Sequence, residues 1–254
     1  MLQASFRFYG NLNDFLPELQ RQKSVFFPLN GPVAVKHPVE ALGVPHTEVE
    51  HLLANRMSVG FSYLVQPGDQ ISVYPPFYEI DLKSPYPLRP PLPTPPRFIL
   101  DNHLGQLATY LRLLGFDAQY HNHYQDEELA RVSHEEERVL LTRDRRLLMR
   151  KIVIYGYWLR AKDPRQQLTE ILSRYKLANH IHPWHRCLRC NGLLRPVPKE
   201  AILDRLEPKT KKYYHEFHIC QDCEQIYWKG SHWTRMHNML SVLCAGPTNT
   251  RHGA

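Results

Sequence analysis

Hydrophobic and polar positions change their rhythm twice along the 254 residues of the chain. In the first third they alternate. Ser5-Phe6-Arg7-Phe8-Tyr9 places every second side chain on one face, which predicts a strand. A second strand is expected over residues 31–37, with Val33 and Val35 on one face. A short helix is expected over 47–53, entered by Thr47 as its N-cap. Strands at 63–65 and 71–74 follow, separated by the turn Gln66-Pro67-Gly68-Asp69. A β-β-α-β-β order of this length describes a small α+β sheet covered by one helix.

The rhythm then breaks. Between Pro75 and Pro96, nine of 22 residues are proline, which lacks a ladder donor and breaks helices, so an extended, semi-rigid linker is expected. Beyond it strands alternate with helices. Phe98-Ile99-Leu100 is a short apolar strand. Leu104, Leu107, Ala108, Leu111 and Leu114 form a helical stripe, and Gly115 is suited to stop it. Ala118-Gln119-Tyr120, a helix over 126–137, the strand Val139-Leu140-Leu141, and helices over 145–151 and 166–175 complete the run. A β-α-β-α-β order implies a parallel sheet with right-handed crossovers. The expected domains are therefore 1–82, a linker over 83–96, an α/β domain over 97–180, a basic cysteine-bearing region over 181–240, and a flexible tail over 241–254.

Composition narrows the function classes. The hydrophobic fraction of 43% and aromatic fraction of 11% suit a chain that buries a core. No run of ~18 apolar residues is present, so no membrane partner is expected. The first residues lack the basic-then-apolar pattern of a secretory signal, and a cytoplasmic location is the expectation. Charge is unevenly divided. Residues 1–96 hold 7 Lys/Arg against 8 Asp/Glu, residues 97–151 hold 9 of each, and residues 152–254 hold 16 against 8. Basicity confined to the last hundred residues suits a polyanion such as nucleic acid, although a solvated basic face has the same composition.

Four of the five cysteines form two short pairs, Cys187-x-x-Cys190 and Cys220-x-x-Cys223; the fifth is Cys244. Two such knuckles close a Cys₄ tetrahedron, the donor set of structural Zn²⁺ with no position left open for catalysis. His182, His185, His215 and His218 lie nearby but are not needed to complete the shell. Arg186, Arg189, Arg195, Lys209, Lys211, Lys212 and Lys229 are interleaved with Tyr213, Tyr214, Tyr227 and Trp228. Cations for phosphates beside rings that stack on unpaired bases describe an RNA surface. The alternative is that the rings pack the ribbon's own core, which is the reading taken for Trp228.

Asp101, Asp126 and Asp144 each stand before an expected helix, where Asp is a preferred N-cap. Topology offers a second reading. Asp101 and Asp144 both close a strand of one expected parallel sheet, and ligands bind at the carboxyl ends of such strands. Asp126, with Glu127 and Glu128 beside it, heads the intervening helix. Converging carboxylates repel unless a cation sits among them, and hard oxygens suit Mg²⁺ or Mn²⁺, the ions of phosphodiester hydrolysis. Asn102 and His103 beside the first acid, and Arg143 and Arg145 beside the last, are candidate substrate contacts.

The quoted residues of this region resemble a known family. Arg97-Phe98-Ile99-Leu100-Asp101, His103-Leu104-Gly105-Gln106-Leu107-Ala108, Leu111 through Asp117 and Leu140-Leu141-Thr142-Arg143-Asp144-Arg145 are similar to the Mut-seven C-terminal RNase family, a branch of the PIN-type nucleases. The resemblance spans about residues 97–240. It implies a PIN-like α/β fold ending in a zinc ribbon, and Mg²⁺- or Mn²⁺-dependent hydrolysis of RNA. Asp101 and Asp144 match the first and last metal-binding acids, and Asp126 the acid that opens the penultimate helix, with Glu127 and Glu128 as alternatives to it or partners of it. A fuller PIN site has a fourth acid in the middle of the fold, and the sequence does not identify which residue here would be its counterpart. Arg143, Arg145, His103, Arg186, Arg189, Lys211 and Lys212 are then the expected substrate contacts. The N-terminal unit resembles the ubiquitin-like (β-grasp) fold. Within it Leu42 through Val49 and Pro67 through Pro75 look like the sulfur-carrier branch, yet the strand runs on through Pro75-Pro76-Phe77 without the Gly-Gly end that sulfur transfer requires. It is expected to be an accessory module, with a protein partner open for it. RNA is the expected partner of the whole, structured RNA such as tRNA included. The rival reading is a non-catalytic RNA-binding or adaptor protein in which the acids only cap helices.

Overall fold

The computed structural model describes residues 2–76 and 86–230. In the N-terminal third the elements are β1 (Gln3–Phe8), β2 (Ser24–Pro28), α1 (Lys36–Ala41), β3 (His51–Ala54), β4 (Met57–Ser58) and β5 (Gln70–Tyr74). Next come β6 (Phe98–Leu100), α2 (Gly105–Leu113), β7 (Ala118–Tyr120), α3 (Asp126–Glu135), β8 (Val139–Thr142), α4 (Arg145–Leu148) and β9 (Gly156–Trp158). The chain continues with α5 (Pro164–Arg174), β10 (Leu194–Val197), α6 (Pro208–Tyr213), β11 (Phe217–Cys220) and β12 (Ile226–Trp228). Among the described residues no helix is long and apolar enough to cross a membrane. Two compact units form. The first joins the chain up to Pro93 to Tyr124–Trp158; the second joins Thr94–His123 to the chain from Leu159 onward.

In the first unit five strands lie in the order β2-β1-β5-β3-β4. The central pair β1–β5 is parallel, with Phe6 opposite Ile71 and Phe8 opposite Val73, and the other pairings are antiparallel. Alternation in β1 buries Ala4, Phe6 and Phe8, which meet Val35 and Val39 from α1 in one core with Leu52, Ile71 and Val73. This is the ubiquitin-like arrangement. Pro38 is tolerated because the first turn of α1 needs no N–H there. Gly43, at φ +97°, closes the helix while Val44 N–H donates to the Val39 carbonyl.

Three sequence expectations are corrected in this unit. Residues 31–37 are not a strand, because Val35 already enters α1; with 63–65 they form an irregular pair, bridged at Ala34–Leu64 and held by Val35 N–H to the Tyr63 carbonyl at 2.8 Å. Residues 47–53 are not a helix. A 3₁₀ turn at His46–Glu48 buries Thr47 and Glu48 completely, and the chain then pairs as β3 with β5. Strand pairing outweighs local helix propensity here. Strands β2 and β4, neither of which alternation in the sequence picks out, flank the sheet.

The same unit contains the parallel pair β8–β9 with α3 and α4. All four residues of β8 are buried, as a strand covered on both faces must be. Strand β9 is also absent from the sequence expectation. It and the residue Val153 before it are tied to the His46–Glu48 turn: Trp158 N–H donates to Glu48 Oε1 at 2.6 Å, and His46 Nε2–H to the Val153 carbonyl at 2.8 Å. The described part of the proline-rich stretch is packed rather than free. Leu88 joins the core, Arg89 donates to the carbonyls of Thr47 and Val49, and Tyr155 donates to the Pro90 carbonyl.

In the second unit β6 and β7 are parallel, with Leu100 opposite Tyr120, and α2 connects them. The α2 stripe is buried as its spacing requires, and Gly115 takes φ +93° at its end. A Cβ at Gly115 would lie 2.0 Å from the His182 carbonyl oxygen, so only glycine fits. Helix α5 is entered by Asp163, whose carboxylate accepts from Arg165 and Gln166 N–H ahead of Pro164 at the first helical position. The antiparallel ribbon β10-β11-β12 closes over Ile202, Leu206, Phe217, Ile219 and Ile226, with Trp228 packed against them as expected. Cys244 and the expected tail over 241–254 lie outside the described residues.

Candidate functional site

The two cysteine knuckles face each other. The Sγ atoms of Cys187, Cys190, Cys220 and Cys223 all lie within 4.8 Å of one another, with Cys187–Cys223 at 3.6 Å and Cys190–Cys220 at 3.4 Å. Each knuckle turns through a residue at positive φ: Asn191 at +72° and Glu224 at +55°. At each turn an N–H returns to the first cysteine, from Asn191 to the Cys187 carbonyl and from Glu224 to the Cys220 carbonyl. A Cβ at Gly192 would crowd Cys220 Sγ at 2.9 Å and displace the exposed Asp222 carboxylate, so the turn favours glycine. Burial pushes the Cys187 thiol up. The Tyr227 hydroxyl, the Cys190 and Arg189 amides and Cys223 more than offset it and bring the thiol down to about 7. A thiolate is therefore accessible near neutral pH, and four sulfur donors in a closed set fit a metal such as zinc. None of the nearby histidines joins the group.

The first knuckle is fastened to α2 and β7. Arg112, only 4% exposed inside the apolar stripe of α2, donates Nε–H to the Ala118 carbonyl and Nη1–H to the carbonyls of Leu188 and Arg189. Asn191 accepts from Ala118 N–H at 3.0 Å and donates to Asp117 at 2.8 Å. Arg186, an expected phosphate contact, pairs with Asp117 at 3.2 Å and donates to the Asn191 carbonyl. The sequence reading assigned no role to Arg112, Asp117 or Asn191. The available signal was a lone cation within an otherwise buried stripe.

The acids occupy three different settings. Asp101 follows β6 and is 7% exposed; its Oδ1 accepts from Asn102 N–H at 2.7 Å and lies 3.4 Å from His103 Nδ1. It caps no helix, because α2 begins at Gly105 with Leu104 before it. Asp144, after β8, does cap: Oδ1 accepts from Arg146 N–H at 2.7 Å, and its own N–H donates to Thr142 Oγ1. Asp126 is the first residue of α3 rather than its cap, which is Gln125. Arg150 pairs with Asp126 at 3.5 Å and with Glu127 at 2.9 Å, and this hydrogen bond holds the exposed Glu127 carboxyl below its ordinary range. Among the described residues, the four cysteines are the one group of three or more His, Cys, Asp or Glu side chains drawn within 4.8 Å.

Comparison with known families decides the relationship. The Mut7-C RNAse domain matches residues 96–240, more than half of the chain, and the Mut7-C ubiquitin domain matches residues 1–81. The chain belongs to the Mut7-C RNAse family. No curated protein and no solved structure matches it.

The remaining basic positions of this Mut7-C chain divide by setting. Arg145 is taken up within the first unit, where it donates to the carbonyls of Phe15 and Asp14. Arg143 offers its carbonyl to Trp158 Nε1–H at 3.1 Å. Lys211 and Lys212 lie on α6, with Lys212 Nζ 5.4 Å from the Tyr213 ring centre. Arg189 lines an open cavity of about 540 Å³ on the ribbon, together with Arg205, Thr210 and Trp228.

Proposed function

We propose that this chain is a metal-dependent ribonuclease that hydrolyses RNA phosphodiester bonds. The observation that carries the reading is the match of the Mut7-C RNAse domain across residues 96–240, the stretch that contains an acid directly after β6 and another after β8. Asp101, Asp126 and Asp144, with Glu127 beside them, would hold Mg²⁺ or Mn²⁺. Such an ion activates a water and stabilises the leaving oxygen when bound. Asp101 keeps its side chain near His103, which orients the carboxylate and offers a donor to substrate. The ribbon residues Arg189, Lys211 and Lys212 would hold the phosphates, with zinc in the Cys₄ set fixing their scaffold. RNA in the cytoplasm is the proposed substrate, structured RNA such as tRNA included.

A non-catalytic RNA-binding role is favoured by one observation, the use of Asp144 as a helix cap. Incubation of purified protein with end-labelled structured and unstructured RNAs in Mg²⁺, Mn²⁺ or EDTA separates the two. Metal-dependent cleavage abolished by EDTA supports the enzyme; binding without cleavage under every metal supports the adaptor.

A further inference from the structure

We propose that the ubiquitin-like module acts within its own chain to position Asp144, and that Arg145 is the clamp. The proposal rests on the ribonuclease reading and gives the N-terminal module a catalytic purpose.

The residues on both sides of Asp144 are gripped. On one side, Trp158 Nε1–H donates to the Arg143 carbonyl at 3.1 Å. Trp158 is itself fixed by its backbone N–H on Glu48, and Glu48 is fully buried in the ubiquitin-like module. On the other side, the Arg145 guanidinium donates to the Phe15 carbonyl at 3.1 Å and the Asp14 carbonyl at 3.3 Å. Its Cζ lies 4.2 Å from the Trp158 ring centre and 5.1 Å from that of Phe15, and the two rings are 4.9 Å apart. A planar fork satisfies two carbonyls while stacking on a ring, which a lysine does not reproduce. Asp14, Phe15 and Glu48 all come from the ubiquitin-like module, 96 or more residues from Asp144 in sequence.

A side chain between two fixed neighbours has little freedom to swing. Metal-binding carboxylates depend on such support, and the loss of outer partners typically costs 10–100-fold in metal affinity or activity. Arg145 is thus a positioning residue, acting through the backbone of Asp144 rather than on RNA.

The test compares Arg145→Lys, which keeps the charge and loses the fork, with Trp158→Phe, which keeps a ring and removes the donor to Arg143. Arg146→Gln is the control, since Arg146 is exposed and contributes its backbone N–H to the cap. In the full chain, both clamp variants should raise the Mn²⁺ concentration for half-maximal RNA cleavage by about tenfold or more and lower kcat, with KM for RNA unchanged. Hydrogen exchange should quicken in the peptide over 139–150 in both, and in neither case for the control. Unchanged metal dependence and exchange in both folded variants overturn the clamp, as does an equal effect in Arg146→Gln. A wild type that cleaves no RNA under any metal overturns the ribonuclease reading and with it the catalytic purpose of the clamp; quickened exchange would still establish the grip on Asp144.

Discussion

Asn191 donates its side-chain N–H to Asp117 at 2.8 Å, and this contact fastens the first cysteine knuckle to the start of β7. The same Asn191 must also hold a φ of +72°, which Asn and Asp tolerate better than most residues. Asn191→Asp preserves that backbone preference and replaces the donor with a carboxylate facing Asp117. Stability should fall by about 1–3 kcal/mol, the cost of an unpaired polar contact with like charges added. Adding Asp117→Asn should recover part of the loss by reversing the pair. Urea melts of the two single variants and the double variant check this; no recovery in the double variant means that the contact is incidental.

Metal removal should reach beyond the knuckles. Cys187→Ser should lower zinc from about one ion per chain towards none, because binding energy at such sites is folding energy. Spacing along the sequence gives no reason for the α/β part to respond to that loss. Arg112 argues otherwise. Burial lowers the pKa of this cation, and the negative charge of Cys187 and Cys190 works against that effect. Loss of the thiolates and of the Leu188 and Arg189 carbonyls leaves a buried guanidinium poorly compensated. Hydrogen exchange should therefore quicken in 107–120 as well as in 185–228. Metal analysis and exchange on the same sample test both statements.

Capping and metal binding make opposite forecasts at Asp144. Ser caps a helix about as well as Asp but offers no carboxylate. Asp144→Ser should melt within a few degrees of wild type, yet lose more activity than the ~10–100-fold that outer partners are worth. Asp101→Asn should behave alike: the amide oxygen still accepts from Asn102 N–H while the charge is gone. Full activity in clean preparations of both variants would remove the acids from the mechanism.

Local signals were legible in the sequence and long-range ones were not. The α2 stripe, the Gly115 stop and the four cysteines follow from spacing that a reader can count. Asp101 and Asp144 stand out in the sequence as candidates because each follows an apolar strand run. The helix expected at 47–53 failed because Thr47 and Glu48 serve distant partners: Glu48 holds Trp158, 110 residues away. The clamp on Arg145 spans 130 residues to Phe15. Nothing in local spacing distinguishes an arginine waiting for phosphate from one that satisfies carbonyls in its own chain.

The packing of the first unit also changes what truncation should do. Charge alone suggests only that removing residues 1–96 leaves non-specific RNA affinity nearly intact. The structure gives Trp158, Val153 and Arg145 partners within the removed module: Glu48, His46, Asp14 and Phe15. Such a truncated chain should lose its cooperative melt over 124–158 and expose Trp158. A blue-shifted, heat-cooperative fluorescence signal from the truncated protein would show that the module is dispensable for folding.

RNA affinity, by contrast, should follow the charge division. Residues 152–254 carry 16 Lys/Arg against 8 Asp/Glu, whereas residues 1–96 are close to neutral. Each phosphate neutralised on a single strand contributes about −0.7 to the slope of log affinity against log salt. Lys211→Gln with Lys212→Gln, both on α6, should flatten that slope by about 1.4 if each lysine meets one phosphate. Lys23→Gln with Lys36→Gln removes the same charge from the ubiquitin-like module and should leave the slope unchanged. Both double variants alter net charge equally, so a difference between them reports position rather than overall attraction. Equal flattening in the two would place the RNA in the diffuse field of the whole protein, and a larger effect at Lys23 and Lys36 would place it against the N-terminal module.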